Sequence, residues 1–259
     1  MRSLILAIAL LMPFSANAES RLPFLKDKVP DDVELPRPWG IGLDFYTMEQ
    51  EYDINFLRFD LPNVSLDDPS LLLVTNDVMH FDIKIDAWIL PFLNVFAILG
   101  KIESDTVIDL SRAPVQGLPF PLGKLPVDTD GTVTGFGMTL AYGSDNWFTS
   151  VTATRTETDL SGNFDSNVDS TTIQPRIGIV KGPWQYWVGG LYLDTEETHS
   201  GVVPLPVLGL IDFDVVLGGA DDWNVTAGAR HVFSEHADLT FEVGFGDRSH
   251  TLFNFTYRF

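Results

Sequence analysis

The sequence predicts an all-β protein, a closed antiparallel barrel that spans a membrane. Three observations predict it. Apolar residues recur at every second position in segment after segment, the period of a wall with two different faces. No helix of membrane-spanning length is encoded after the first 18 residues. The nearest candidate, "AWILPFLNVFAILG" at 87–100, has 14 uncharged residues and contains Pro91, whereas a spanning helix needs about 20 residues without a breaker. Finally, tiny connectors alternate with long ones, as expected when one rim of a barrel carries turns and the other carries loops.

The segments justify themselves in order. Ile41, Leu43 and Phe45 mark a first strand near 40–48. In 77–90, Met79, Phe81, Ile83, Ile85, Ala87 and Ile89 alternate with His80, Asp82, Lys84, Asp86 and Trp88. In 94–103, placing Lys101 and Glu103 inward puts Phe96, Ile98 and Ile102 on the lipid side. In 131–142, Phe136, Met138, Leu140 and Tyr142 alternate with Gly135, Gly137, Thr139 and Ala141. The threonine-rich segment 146–158 leaves its facing open. In 170–180, Ile173, Pro175, Ile177 and Ile179 alternate with Thr172, Gln174, Arg176 and Gly178. In 184–196, Trp184, Tyr186, Val188 and Tyr192 form the aromatic set expected at a membrane interface. Segments 222–233 and 237–246 oppose Trp223, Val225, Ala227 and Ala229 to Asn224, Thr226, Gly228 and Arg230, and Leu239, Phe241, Val243 and Phe245 to Asp238, Thr240, Glu242 and Gly244. The last, 250–259, ends "HTLFNFTYRF".

Ten strands leave short connectors at 91–93, 143–145, 181–183 and 234–236. They leave long ones at 49–76, 104–130, 159–169 and 197–221, with 247–249 as the exception. Short turns belong to the periplasm and long loops to the outside. A count of twelve, adding 53–59 and 208–217, has the right parity but would put the long connectors in the periplasm. Ten is preferred.

The chain resembles the bacterial outer-membrane β-barrel proteins in its even set of alternating strands and its terminal "FNFTYRF". "MRSLILAIALLMPFSANA" at 1–18 adds the charged start, apolar stretch and A-x-A end of a signal peptide. No narrower subfamily motif is met. The resemblance implies a Gram-negative outer-membrane location. It implies that Phe253, Phe255, Tyr257 and Phe259 are read as an assembly signal by the barrel-assembly machinery, with periplasmic chaperones, bilayer and lipopolysaccharide as the other partners. Residues 19–38, with four prolines, are expected to be a periplasmic lead-in, and 39–259 the transmembrane domain, as a monomer.

Composition narrows the function. A net charge of −20 argues against nucleic acid, which needs basic surfaces. The absence of cysteine excludes disulfides and lipid attachment through a thiol. Asp82, Lys84, Asp86, Lys101, Glu103, Arg176, Arg230, Glu242 and Arg258 are expected to form a lumen charge network, because opposite charges in a narrow barrel must pair. His80, Asp82 and Asp86 lie on one lumen face and could do acid–base work, but lumen packing explains them equally well. The His-x-Ser pattern of the phospholipase barrels and the Asp-x-His of the omptin proteases are absent, so no catalytic residue, enzyme or cofactor is expected. Asn163, Asp165, Asn167 and Asp169, and the run Asp128 to Gly131, are partial calcium loops read as turn chemistry, and no metal is expected. Two Pro-rich apolar loops, 117–128 and 202–214, would place Leu118, Phe120, Leu122, Leu205, Val207 and Leu208 at the mouth. The expected function is a porin-like barrel that binds or passes a small, apolar solute through a narrow polar lumen. A filled structural or surface-interaction barrel and an outer-membrane hydrolase are the alternatives.

Overall fold

The computed structural model describes residues 22–29, 35–59, 65–66, 72–109, 111, 115–116, 123–161, 164–205 and 209–259. The expected signal peptide and five of the six mouth residues (Leu118, Phe120, Leu122, Val207 and Leu208) lie outside them, as does the side chain of Leu205. The strands are β1 (Trp39–Phe59), β2 (Ser65–Leu66), β3 (Leu73–Leu90), β4 (Leu93–Asp109), β5 (Val115–Gln116), β6 (Lys124–Gly143), β7 (Trp147–Ser161), β8 (Phe164–Lys181), β9 (Trp184–Leu205), β10 (Gly209–Gly219), β11 (Trp223–Ser234), β12 (Ala237–Phe245) and β13 (Ser249–Arg258).

A ring of ten strands, β1-β3-β4-β6-β7-β8-β9-β11-β12-β13 and back to β1, closes without an edge. Closure satisfies the backbone groups that lipid cannot. The pairs closing it are Gly40–Glu49 with Ser249–Arg258, and Trp39–Tyr52 with Val74–Ala87. Both ends of the barrel domain lie on one rim, where Trp39 and Phe259 exchange backbone hydrogen bonds of 3.4 and 3.0 Å. The expected short turns are on that same rim. Part of the lead-in is tied to it: Phe24 donates to the Ile89 carbonyl at 2.9 Å, and Arg37 meets Glu235 at 3.0 Å.

The long connectors expected at 49–76, 104–130, 159–169 and 197–221 are mostly strand. β1 has 21 residues and β9 has 22, about twice the 9–11 that cross a bilayer. The stretch 53–59 is the upper part of β1, not a separate strand. The stretch 209–219 is a separate strand, but it belongs to a second, narrower ring. β10 pairs with 196–205 of β9 and with 52–59 of β1, above the point where β11, β12 and β13 end. The upper barrel is thus closed by the eight strands β1, β3, β4, β6, β7, β8, β9 and β10.

The outer surface marks the membrane. Phe45, Phe81, Leu99, Phe136, Ile173, Val188, Val225, Phe241 and Phe253 are exposed around the ten-stranded part, forming an apolar belt. The outer face of the upper part is acidic. Glu49, Asp77, Asp105 and Asp128 are direct cross-strand neighbours, as are Glu157, Asp169 and Glu196. Such a surface stands in water, outside the lipid.

Candidate functional site

The interior is layered. In the ten-stranded part, most residues opposite the apolar belt point inward and are polar, with Phe96 and Ile98 among the exceptions. Glu242 on β12 is the centre, with a side chain only 1% exposed. The Arg176 guanidinium lies 2.8 Å from its Oε2, the Trp187 indole donates to that oxygen at 2.6 Å, and Gln174 donates to Oε1 at 2.6 Å. Five elements build the cluster: β12 supplies Glu242, β8 supplies Gln174 and Arg176, β9 supplies Trp187, β11 supplies Gly228 and β13 supplies His250. A side chain on Gly228 would strike the Trp187 ring. Four donor-bearing partners around one carboxylate satisfy its charge, so burial is tolerated; the fourth, His250, is 3.7 Å away.

Three more pairs line this layer. Arg258 donates to Asp86 at 2.9 Å, and Asn94 donates to the same oxygen at 2.6 Å. Lys84 is 3.7 Å from Asp44, which also accepts a hydrogen bond from Asn254. Arg230 meets Asp238 at 2.6 Å. Seven of the nine residues expected in the lumen network therefore point inward, and six of them pair: Lys84, Asp86, Arg176, Arg230, Glu242 and Arg258. Asp82 is inward but lies 3.8 Å from His80.

Lys101 and Glu103 are corrected: both are on the outer surface and exposed. Their cross-strand partners Phe81 and Met79 are exposed too. Phe96, Ile98 and Ile102 accordingly face inward, with the Phe96 ring under the Lys84 ammonium at 5.8 Å. A side chain on Gly137 would strike that ring. The rule "charge inward, apolar outward" holds only within the lipid belt. Lys101, beside the belt residue Phe81, stands at its edge and Glu103 continues beyond it, and there the rule reverses.

Above the polar layer sits an apolar one. Met48, Val78, Ile102, Val133, Leu160 and Leu193 pack together across the lumen, none more than 8% exposed. Higher still, Tyr52, Val74, Ile211, Phe213, Val215 and Leu217 form a second buried cluster. This corrects the reading of 202–214 as an apolar mouth loop: Ile211 and Phe213 alternate inward from β10 as core. The threonine-rich β7 also resolves, with Ser150, Thr158 and Leu160 buried on its inner face.

The acid–base constellation does not assemble. Asp86 is occupied by Arg258 and Asn94, while His80 packs edge-on against Tyr46 with centroids 5.7 Å apart. The partial calcium loops are outer wall. Asn167 and Asp169 face outward on β8, where Asp169 pairs with Arg155 at 3.1 Å, and Asp128 and Asp130 face outward on β6. Asn163 and the side chain of Asp165 lie outside the described residues. Among the described residues no group of three metal-ligating side chains is arranged to hold an ion. Sequence reasoning missed Trp187, Gln174, Asp44, Asn254 and Asp238 as partners. Their inward parity was available, but which charge each meets depends on the stagger between strands.

No family model matches the chain, and no curated protein matches it in sequence. Among solved structures it is similar to the outer membrane protease OmpT from Escherichia coli, at 8% identity and a TM-score of 0.45, over 88% of this chain and 99% of that one. It is similar to the translocator domain of the autotransporter NalP from Neisseria meningitidis, at 11% identity and 0.42, over 92% and 94%. It is also similar to the toluene transporter TbuX from Ralstonia pickettii, at 8% identity and 0.35, over 88% and 90%. The chain's own wall places it: an even, closed antiparallel ring with an apolar belt is the architecture of an outer-membrane β-barrel protein.

Proposed function

We propose that this barrel is filled rather than conducting, and that it serves as a monomeric anchor for the superstructure it raises above the outer membrane. The observation that carries this is the apolar layer of Met48, Val78, Ile102, Val133, Leu160 and Leu193, buried across the lumen at the change from ten strands to eight. A ring of eight strands is narrow enough for side chains to fill. Water and ions crossing such a layer would lose their hydration without replacement. The polar layer below it is built of paired opposite charges, Glu242 with Arg176, Asp86 with Arg258 and Asp238 with Arg230, which supports a structural role. Passage of a small solute, the leading expectation from sequence, would require this layer to open. In the same reading, bilayer and lipopolysaccharide surround the belt. The stripe Phe253, Phe255, Tyr257 and Phe259, which faces outward, is recognised by the assembly machinery with periplasmic chaperones. The test is single-channel recording on the full-length folded chain in a planar bilayer. A silent bilayer is expected, and steady current steps from the folded wild type would overturn the proposal.

A further inference from the structure

Three side chains above the apolar layer stand in the order of a nucleophilic relay. Ser166 on β8 and His199 on β9 are direct cross-strand partners, and Ser166 Oγ lies 2.6 Å from His199 Nδ1. Glu197, two residues earlier on the same face of β9, places Oε1 2.7 Å from His199 Nε2, a charge contact in which that nitrogen makes no hydrogen bond. Glu197 and His199 are 2% and 6% exposed, whereas Ser166 is half-buried. β8 starts at the extracellular rim with Phe164, so Ser166 is nearer that rim than Val168, which packs on the apolar layer. The hydroxyl is the least buried member of the set and lies on the extracellular side of the apolar layer.

A carboxylate beside Nε2 favours the proton there, which leaves the Nδ1 lone pair for the serine O–H. A serine hydroxyl against the free nitrogen of an imidazole backed by a carboxylate is the arrangement that makes serine nucleophilic. The neighbours of the pair are apolar: Leu160 beside Ser166 on β7 and Val215 beside His199 on β10.

We propose that Ser166, His199 and Glu197 form an extracellular-facing acyl-transfer site for carboxylic esters with an apolar acyl group. Ser166 Oγ bonds to the acyl carbon as its proton passes to His199 Nδ1. The alkoxy C–O bond breaks, and the leaving alcohol takes that proton. Water, deprotonated by the same nitrogen, then releases the acid and restores the serine. Ser166 and His199 are the catalytic residues. Glu197 is a positioning residue that stabilises the transient imidazolium. The site lies outside the lumen network and does not depend on the barrel being closed.

The test uses the full-length folded chain in detergent, with a fluorophosphonate probe and p-nitrophenyl acetate. Labelling should map to Ser166, and Ser166→Ala should lose both the label and at least about 10²-fold in ester hydrolysis, the usual contribution of an activated base. Glu197→Gln should lower kcat for the ester with KM unchanged, and Glu197→Asp should restore part of the loss; a purely structural Glu197 would leave kcat of the folded variant in place. Because the chain contains no cysteine, Ser166→Cys supplies a second readout. Its thiol should react with iodoacetamide at pH 6 at least about tenfold faster than that of Ser170→Cys, since Ser170 faces Thr195 at 3.2 Å and no imidazole. An unlabelled Ser166 in the folded wild type, or equal reactivity of the two cysteines, would overturn the proposal and leave the relay as a buried hydrogen-bonded chain.

Discussion

The two halves of this barrel are inside-out relatives of each other. In the ten-stranded half, Phe81, Phe136 and Ile177 face outward while Glu242, Arg176 and Asp86 face inward. In the eight-stranded half, Glu49, Asp77 and Asp105 face outward while Val74, Val215 and Leu217 are buried inside. One covalent strand serves both. Along β4, Leu99 is exposed to lipid, Lys101 and Glu103 continue the same outer face into water, and Ile102 joins the buried apolar layer. The difference teaches that solvent, not the fold, decides which face is apolar. Where the outside is lipid, the apolar surface goes outward and the lumen keeps the charges. Where the outside is water, the hydrophobic effect returns and drives the apolar residues inward.

This comparison can be broken most forcefully in the lower half. Glu242→Ala leaves Arg176 buried without its carboxylate, and Arg176→Ala does the converse. Each is expected to lower stability by about 3–5 kcal/mol, measured as the shift of the urea unfolding midpoint in detergent, without opening a pore. The same truncation at Lys101 or Glu103 should stay within about 0.5 kcal/mol, because both are exposed on the outer wall.

The upper half is sharpened by a cavity. Leu193→Ala in the apolar layer should cost about 2–4 kcal/mol, read from the same unfolding curves. Leu99→Ala, on the lipid face of the same barrel, should cost clearly less, because lipid fills the space the side chain leaves.

The smallest effect concerns the acidic collar. Asp105 sits between Asp77 and Asp128 on neighbouring strands, and like charges directly opposite each other repel. Asp105→Asn should therefore stabilise by about 0.2–1 kcal/mol at low salt. The gain should fade as ionic strength rises and the Debye length shrinks to about 8 Å at 0.15 M. A loss of stability at low salt would mean the collar is held by partners other than screened carboxylates.

How much of this was legible follows from the same inversion. Within the belt, period two and the pairing of lumen charges identified the strands, the lipid face and most of the charge network. Above the belt the period continues, but the labels swap: Asp194 and Glu196 take the outer positions and Leu193 and Thr195 the inner ones. A reading that looks for apolar residues facing lipid ends the strand at that point. It therefore turned 49–76 and 197–221 into loops and pointed Lys101 inward. The missed signal was the unbroken alternation itself, with Ile211, Phe213, Val215 and Leu217 opposing Asp212 and Asp214. The Ser166–His199 pair was not legible. The residues are 33 positions apart, and only the stagger between β8 and β9 sets them opposite each other.

The most direct test uses β4 alone. The chain has no cysteine, so single cysteines at 101 through 106 can be challenged in intact cells with a charged, membrane-impermeant maleimide. Cysteines replacing Lys101, Glu103 and Asp105 should label rapidly, while those replacing Ile102, Ser104 and Thr106 should stay protected until the barrel is unfolded. Rapid labelling at 104 and 106 in the folded protein would mean a water-filled upper lumen, and would contradict the filled, inverted barrel described above.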